Sequence, residues 1–143
     1  MDTASPVKLG FVCVQNAGRS QMSAAFAERE RDRRKLGDNV EILTGGTHPA
    51  ENVHDEVITV MRERDIDLSN RTPREVSTDE LESCDVVATM GCSTLELDAE
   101  NVDVRDWALD DPHGQDLDTV REIRDDIERR VKMLFDEFYP DEP

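Results

Sequence analysis

The sequence is short of basic residues. Against 34 Asp and Glu it carries only 17 Lys and Arg, a formal net charge of −17 over 143 residues. Just three of those cations are lysines, Lys8, Lys35 and Lys132; the rest are arginines. A chain this anionic cannot displace the counterions of a polyphosphate backbone, which excludes non-specific nucleic-acid binding. The same charge argues against docking on an anionic membrane surface. Long apolar runs are also missing: none approaches the roughly 18–20 residues of a membrane span. Met1–Pro6 lacks the basic-then-apolar pattern of an export signal. A soluble, cytoplasmic protein is expected. Cysteine is scarce, with Cys13, Cys84 and Cys92 only. Three thiols cannot pair evenly, which fits a reducing compartment. His48 and His54 have no metal-ligand spacing, and His113 reads as a loop residue, so no metal site is expected. No nucleotide-binding glycine motif appears either.

Aromatic residues make up only 4% of the chain and charged residues 36%, against about 25% charged in an ordinary domain. Such a balance can signal disorder. The apolar residues, however, fall in periodic blocks, as a folded domain requires. The acidity then belongs to the surface. Such an acidic, lysine-poor surface resembles that of proteins from cells holding multimolar salt, where a Debye length of about 3 Å screens self-repulsion.

Val7–Val14 is a short run rich in Val and Phe, and reads as a buried strand. Ser20 to Lys35 reads as a helix with Met22, Ala25 and Phe26 inward. Val40–Leu43 is a second strand, stopped by Gly45-Gly46, and Val53–Arg64 a second helix presenting Val53, Val57, Val60 and Met61. Cys84–Met90 and Val102–Trp107 are further strands. Leu117–Phe138 is the longest helix, with Leu117, Val120, Ile123, Ile127, Val131, Leu134 and Phe138 recurring every three or four residues. Strands alternating with helices predict a four-stranded parallel sheet with helices on both faces, a three-layer α/β domain. No linker divides the chain, so residues 1–143 read as one domain with a core at about 7–138. In open α/β sheets, ligands sit beyond the carboxyl ends of the strands. The chemistry is therefore expected just after Val14, Met90 and Trp107.

After the first strand the chain runs Cys13-Val14-Gln15-Asn16-Ala17-Gly18-Arg19-Ser20, a C-x5-R-S loop passing from strand into helix. Successive backbone N–H groups in such a loop can wrap a tetrahedral oxyanion, and the next helix aims its positive end at the same point. Arg19 can offer its planar fork to two anion oxygens. Gly18 and Asn16 suit backbone angles that other residues resist. Cys13 stands where a thiol ionises more readily and can attack the phosphorus or arsenic of the anion. Ser20 could hydrogen-bond the thiolate. Asp111-Pro112 follows the fourth strand, where a carboxylic acid could protonate a leaving oxygen; Asp110 competes with it. Cys92 follows the third strand, and a second thiol at an anion site suggests redox chemistry. Cys84 reads as a buried structural thiol.

The stretch C-V-Q-N-A-G-R-S-Q-M, from Cys13 to Met22, closely resembles the active loop of arsenate reductases built on the low-molecular-weight protein tyrosine phosphatase fold. The resemblance spans about residues 7–138. It includes Thr44-Gly45-Gly46-Thr47, Glu63 to Ser69, and Asp106 to Pro112. It implies that Cys13 attacks arsenate within the oxyanion loop of Val14 to Ser20, with Arg19 holding the anion and Asp111 as general acid. It further implies that Cys92 then attacks the Cys13 sulfur, so that arsenite leaves and a Cys13–Cys92 disulfide remains. No bound cofactor is implied. An external thiol reductant is: a thioredoxin, a glutaredoxin-like protein or a small thiol.

The chain departs from the pattern in three places. Thioredoxin-coupled members carry a third cysteine shortly after the second, and Ser93 to Asp98 has none. The phosphatases of this fold commonly place aromatics after Asp-Pro, where this chain has His113-Gly114. They usually carry Cys before the loop arginine, where Gly18 stands. The last two departures favour arsenate over phosphotyrosine. The alternatives are a phosphatase working through a Cys13 phosphocysteine, and a non-catalytic oxyanion sensor. Because a chain of charge −17 repels its own anionic substrate at low salt, both melting temperature and activity should rise steeply from dilute buffer to molar potassium chloride. Full activity and stability in dilute buffer would refute salt adaptation.

Overall fold

The computed structural model describes residues 6–90, 102–107, 109–110, 112 and 114–139. Four strands form one sheet: β1 (Val7–Cys13), β2 (Val40–Gly46), β3 (Val86–Met90) and β4 (Asp103–Asp106). Every pairing is parallel, in the order β2-β1-β3-β4. The helices are α1 (Arg19–Arg33), α2 (Asp55–Arg62), α3 (Thr78–Glu82) and α4 (Leu117–Phe138).

Strand period sorts the side chains of β1. Leu9, Phe11 and Cys13 point into a core shared with α1, α2 and α4, joined by Val86, Ala88 and Met90 of β3. Val12 and Val87 point the other way, against Val76, Leu81, Cys84 and Val102. The sheet therefore has helices on both faces, as a parallel sheet requires, with α3 on the Val12 side among the described residues.

The expected inward residues of α1, and Val53, Val57, Val60 and Met61, are all buried. At the two ends of α4 the pattern fails. Leu117 and Phe138 are exposed, and Phe135 is buried instead, because the helix outruns the core it covers. The strand β2 does not stop before its glycines. It continues through Gly45 and Gly46, paired to Val12 and Cys13. These positions are close approaches: a Cβ on Gly45 would meet the Val76 Cβ at 2.5 Å. The third strand starts at Val86 rather than Cys84. Ser83 and Cys84 instead close α3, donating to the carbonyls of Glu80 and Leu81. Helix α3 itself was not anticipated, although its signal is in the sequence. Ser77 accepts from the Glu80 N–H, and the Glu80 side chain accepts from the Ser77 N–H, a reciprocal capping box.

Helices α2 and α4 are tied by charge. Buried Arg124 donates to the Val60 carbonyl at 2.8 Å and to Glu63 at 2.6 Å, and Arg121 reaches the same carboxylate. Hydrogen bonds from Arg121 first, then Arg124, hold the Glu63 carboxyl down at about 2, against 4.5 unperturbed. A pKa depressed on folding stabilises the fold above the unfolded value and is lost as pH falls through the folded one. The stability gap between the native protein and Glu63→Gln should thus be full above pH about 4.5 and close toward pH 2, in thermal melts across that range. A gap independent of pH would mean that the carboxylate charge is not the tie.

Candidate active site

Because all four strands are parallel, their carboxyl ends share one edge. The register sets Cys13 beside Gly46 on one side and Met90 on the other. The strand order reverses between β1 and β3, the place where ligands enter such sheets. Residues 14–18 loop out there and lead into α1, whose N-cap is Gly18.

The direction of the loop's peptide groups is set by its neighbour. The carbonyls of Cys13, Val14, Gln15 and Ala17 accept from the backbone N–H groups of Thr47, His48, Ala50 and His54, at 2.7–3.2 Å. In a planar trans peptide the N–H points opposite to the C=O. The amides of Val14, Gln15, Asn16 and Gly18 are thereby turned to the other side of the loop. The Asn16 N–H shows the sense, donating to the Cys13 sulfur at 3.3 Å. Asn16 holds φ at +52°, the left-handed region that asparagine tolerates better than most residues.

The side chains behind the loop form a network. The Cys13 sulfur lies 2.9 Å from the Ser20 Oγ. Asn16 Nδ2 donates to Ser20 at 2.7 Å and to Thr44 at 3.0 Å. Asn16 Oδ1 accepts from Gln21 Nε2 and from the Arg74 backbone N–H, both at 3.1 Å. Thr44 passes its own proton to the Phe11 carbonyl at 2.9 Å. At the mouth, His54 Nε2 sits 3.0 Å from the Gln15 side-chain oxygen.

Arg19 is 9% exposed and donates from Nη1 to the Leu109 carbonyl at 3.1 Å. That bond draws the chain after β4 toward the loop. Pro112 lies against Gly18, where a Cβ would come within 3.0 Å of the proline ring. The Gly114 N–H donates to Glu56 of α2 at 2.9 Å. So the residues flanking position 111 are pinned to α1, the loop and α2. Asp111, Cys92 and His113 themselves lie outside the described residues. Cys84 is remote from the loop, near the start of β3. Burial pushes its thiol up to about 11, with nearby Asp85 and Glu41 adding to the rise against Lys8, which suits a packing thiol.

The structure brings Cys13, Asn16 and Ser20 together, and places Arg19 at the junction of α1 with the chain after β4. Gln21 and Thr44-Gly45-Gly46-Thr47 lie in stretches that carry the family resemblance, but the sequence gives Gln21, Thr44 and Thr47 no role, and residues 48–54 carry no motif of their own. Only the paired glycines at a strand end mark the segment's close approach.

The family model for low molecular weight phosphotyrosine protein phosphatase matches residues 8–142. The chain belongs to that family. A candidate arsenate reductase of Halobacterium salinarum is 77% identical over 142 residues, covering 99% of this chain and 100% of that protein. A glutaredoxin arsenate reductase of Synechocystis sp. is 34% identical over 131 residues, covering 89% of this chain and 95% of that protein. Among solved structures, a Corynebacterium glutamicum thioredoxin-dependent arsenate reductase superimposes with a TM-score of 0.77 at 29% identity, over 95% of this chain and 63% of that chain.

The loop and its support leave no room for a side chain at Gly46. A Cβ there would lie 2.5 Å from the Val14 carbonyl oxygen and 3.0 Å from the Asn16 nitrogen, both backbone atoms. Gly46→Ala should weaken phosphate binding about tenfold, a loss of about 1.4 kcal/mol, read by titration calorimetry. Unchanged affinity would show that the loop position does not depend on this contact.

Proposed function

We propose that the chain, acting as one domain over residues 1–143, is an arsenate reductase. The observation that carries the chemistry is the Cys13 sulfur at the focus of a loop whose carbonyls are turned away and whose Asn16 amide faces it. Reduction rather than hydrolysis is supported by the relatives, arsenate reductases by name, and by the second thiol, Cys92.

The oxyanion sits in the loop of Val14 to Ser20, its oxygens on the backbone amides, the α1 N-terminus and the Arg19 guanidinium. The Cys13 thiolate attacks arsenic, and a sulfur–arsenic bond replaces an arsenic–oxygen bond. Asp111 protonates the departing hydroxide, which leaves as water. Pinning of Leu109, Pro112 and Gly114 supports that role by fixing both flanks of the residue. The Cys92 thiolate then attacks the Cys13 sulfur. A disulfide forms, the sulfur–arsenic bond breaks, and its electron pair stays on arsenic as arsenite. Two thiols are oxidised and As(V) becomes As(III), so the balance closes. An external thiol system returns the two electrons. Relatives of this family are coupled by name to thioredoxin or glutaredoxin. With no cysteine among Ser93 to Asp98, the external thiol attacks the Cys13–Cys92 disulfide directly. The cytoplasm, where thiols stay reduced, is the fitting compartment.

The test measures arsenite formation beside hydrolysis of a small phosphoester, in molar potassium chloride with a defined thiol system. Cys13→Ser should remove both activities. Cys92→Ser should abolish arsenite turnover and spare any phosphoester hydrolysis, which needs only the first thiol. Arsenate reduction at full rate by the Cys92→Ser protein would overturn the two-thiol mechanism. Phosphoester turnover with no arsenite formed by the native protein would make it a phosphatase.

A further inference from the structure

The first turn of α1 contains a buried amide that packing alone does not explain. Gln21 is 2% exposed, and its side-chain oxygen Oε1 has no hydrogen-bond partner among the described residues. Leaving a buried acceptor unsatisfied costs its full desolvation, and a methionine would fill similar space without that cost. A buried polar atom left unsatisfied calls for a reason.

The amide cannot be relieved by turning over. The Arg74 backbone N–H can only donate, so the Asn16 atom it meets at 3.1 Å is the oxygen. Gln21 meets the same oxygen at 3.1 Å and must therefore present Nε2. Its own oxygen is left without a partner as a consequence. With Oδ1 facing Arg74 and Gln21, both Asn16 amide hydrogens are committed, one to Ser20 Oγ at 2.7 Å and one to Thr44 at 3.0 Å. Ser20 Oγ accepts there, so its hydrogen is free for the Cys13 sulfur at 2.9 Å. Every donor in the series Gln21, Asn16, Ser20 points one way, toward the sulfur. Aligned donors polarise one another, and the same amide steadies the left-handed Asn16 whose N–H also faces the sulfur.

We propose that Gln21 is a positioning residue for the Cys13 thiolate, acting as the first donor of a one-way relay through Asn16 and Ser20. The inference rests on Cys13 being the nucleophile. Other charged and titratable groups on the segments packed against the loop are Arg19 on α1, His48 and His54 after β2, Arg74 before α3, and Asp110 after β4. Substituting Gln21 alters none of them.

The experiment follows alkylation of Cys13 by iodoacetamide against pH, in molar potassium chloride, with Cys84→Ala and Cys92→Ala in the background so that one thiol reports. Gln21→Met should slow alkylation about fivefold at neutral pH, the worth of roughly one hydrogen bond, and shift the pH–rate profile upward. Gln21→Glu, an acceptor facing an acceptor, should do the same more strongly. Adding Gln21→Met to Asn16→Ala should change nothing further, because the relay is already cut. In the enzyme with all cysteines present, kcat for arsenite formation should fall with KM little changed. If either Gln21 variant folds and keeps the native pH–rate profile, the relay is refuted, whatever happens to its melting temperature. An effect of Gln21→Met that persists in full on Asn16→Ala refutes it equally. Arsenate reduction surviving Cys13→Ser would instead strike the nucleophile assignment, a failure distinct from these.

Discussion

Four carbonyls decide what the loop after β1 can do. Those of Cys13, Val14, Gln15 and Ala17 are all taken by the backbone of residues 47–54. Were they turned inward, the loop would present oxygens to an oxyanion and repel it. Pairing them on the far side turns the amide ends of the same peptides to the opposite side of the loop, where the Asn16 N–H meets the Cys13 sulfur. This requires the end of β2 to lie close under the loop after β1, which Gly46 allows by having no side chain to meet the Val14 carbonyl oxygen and the Asn16 nitrogen. The thiol, the guanidinium of Arg19 and the helix N-terminus gain their meaning from that arrangement.

The charge of the chain takes a particular form around this site. Each of the thirteen arginines outside the loop pairs with at least one Asp or Glu. Several pairs cross between elements: Arg29 with Glu128, Arg34 with Asp136, Arg64 with Asp125, and Arg105 with Glu137. Surface pairs each contribute little. Collectively they tie α4 to its neighbours. Arg19 reaches the chain after β4, at the mouth of the loop, through the Leu109 carbonyl. The excess of carboxylates is compatible with an anionic substrate only because the local field of the loop is opposite to that of the whole protein. The Halobacterium relative, 77% identical, fits a chain built for strong ionic screening.

Much of the fold was legible because its signals are local. Apolar runs marked β1 and β3, and three-to-four spacing marked α4 to the residue. Misreadings came where a local rule met a tertiary contact. Gly45-Gly46 reads as a strand stop, yet the glycines continue the ladder because β1 and the chain at Val76 press close. The capping box of α3 was readable from Ser77 and Glu80, but five residues make no periodicity to notice. At the site, Cys13, Arg19 and Ser20 were legible because an anion loop is contiguous. The donors at His48, Ala50 and His54 were not, and Thr44 and Thr47 were marked only by the resemblance of Thr44-Gly45-Gly46-Thr47, with no role attached. Backbone N–H groups belong to every residue but proline, and leave no mark in a sequence.

By itself, then, the sequence determined the class of fold, the C-x5-R-S loop proposed to bind the anion and the thiol within it, because each is written in neighbouring residues. Only the tertiary structure decided which way the loop's peptides face, and that the Asn16 side-chain amide is committed on both ends, to Ser20 and Thr44 on one and to Gln21 and Arg74 on the other. Those outcomes depend on segments 28 to 58 residues apart meeting at one sheet edge, where the geometry of parallel strands and not their order in the chain selects the partners.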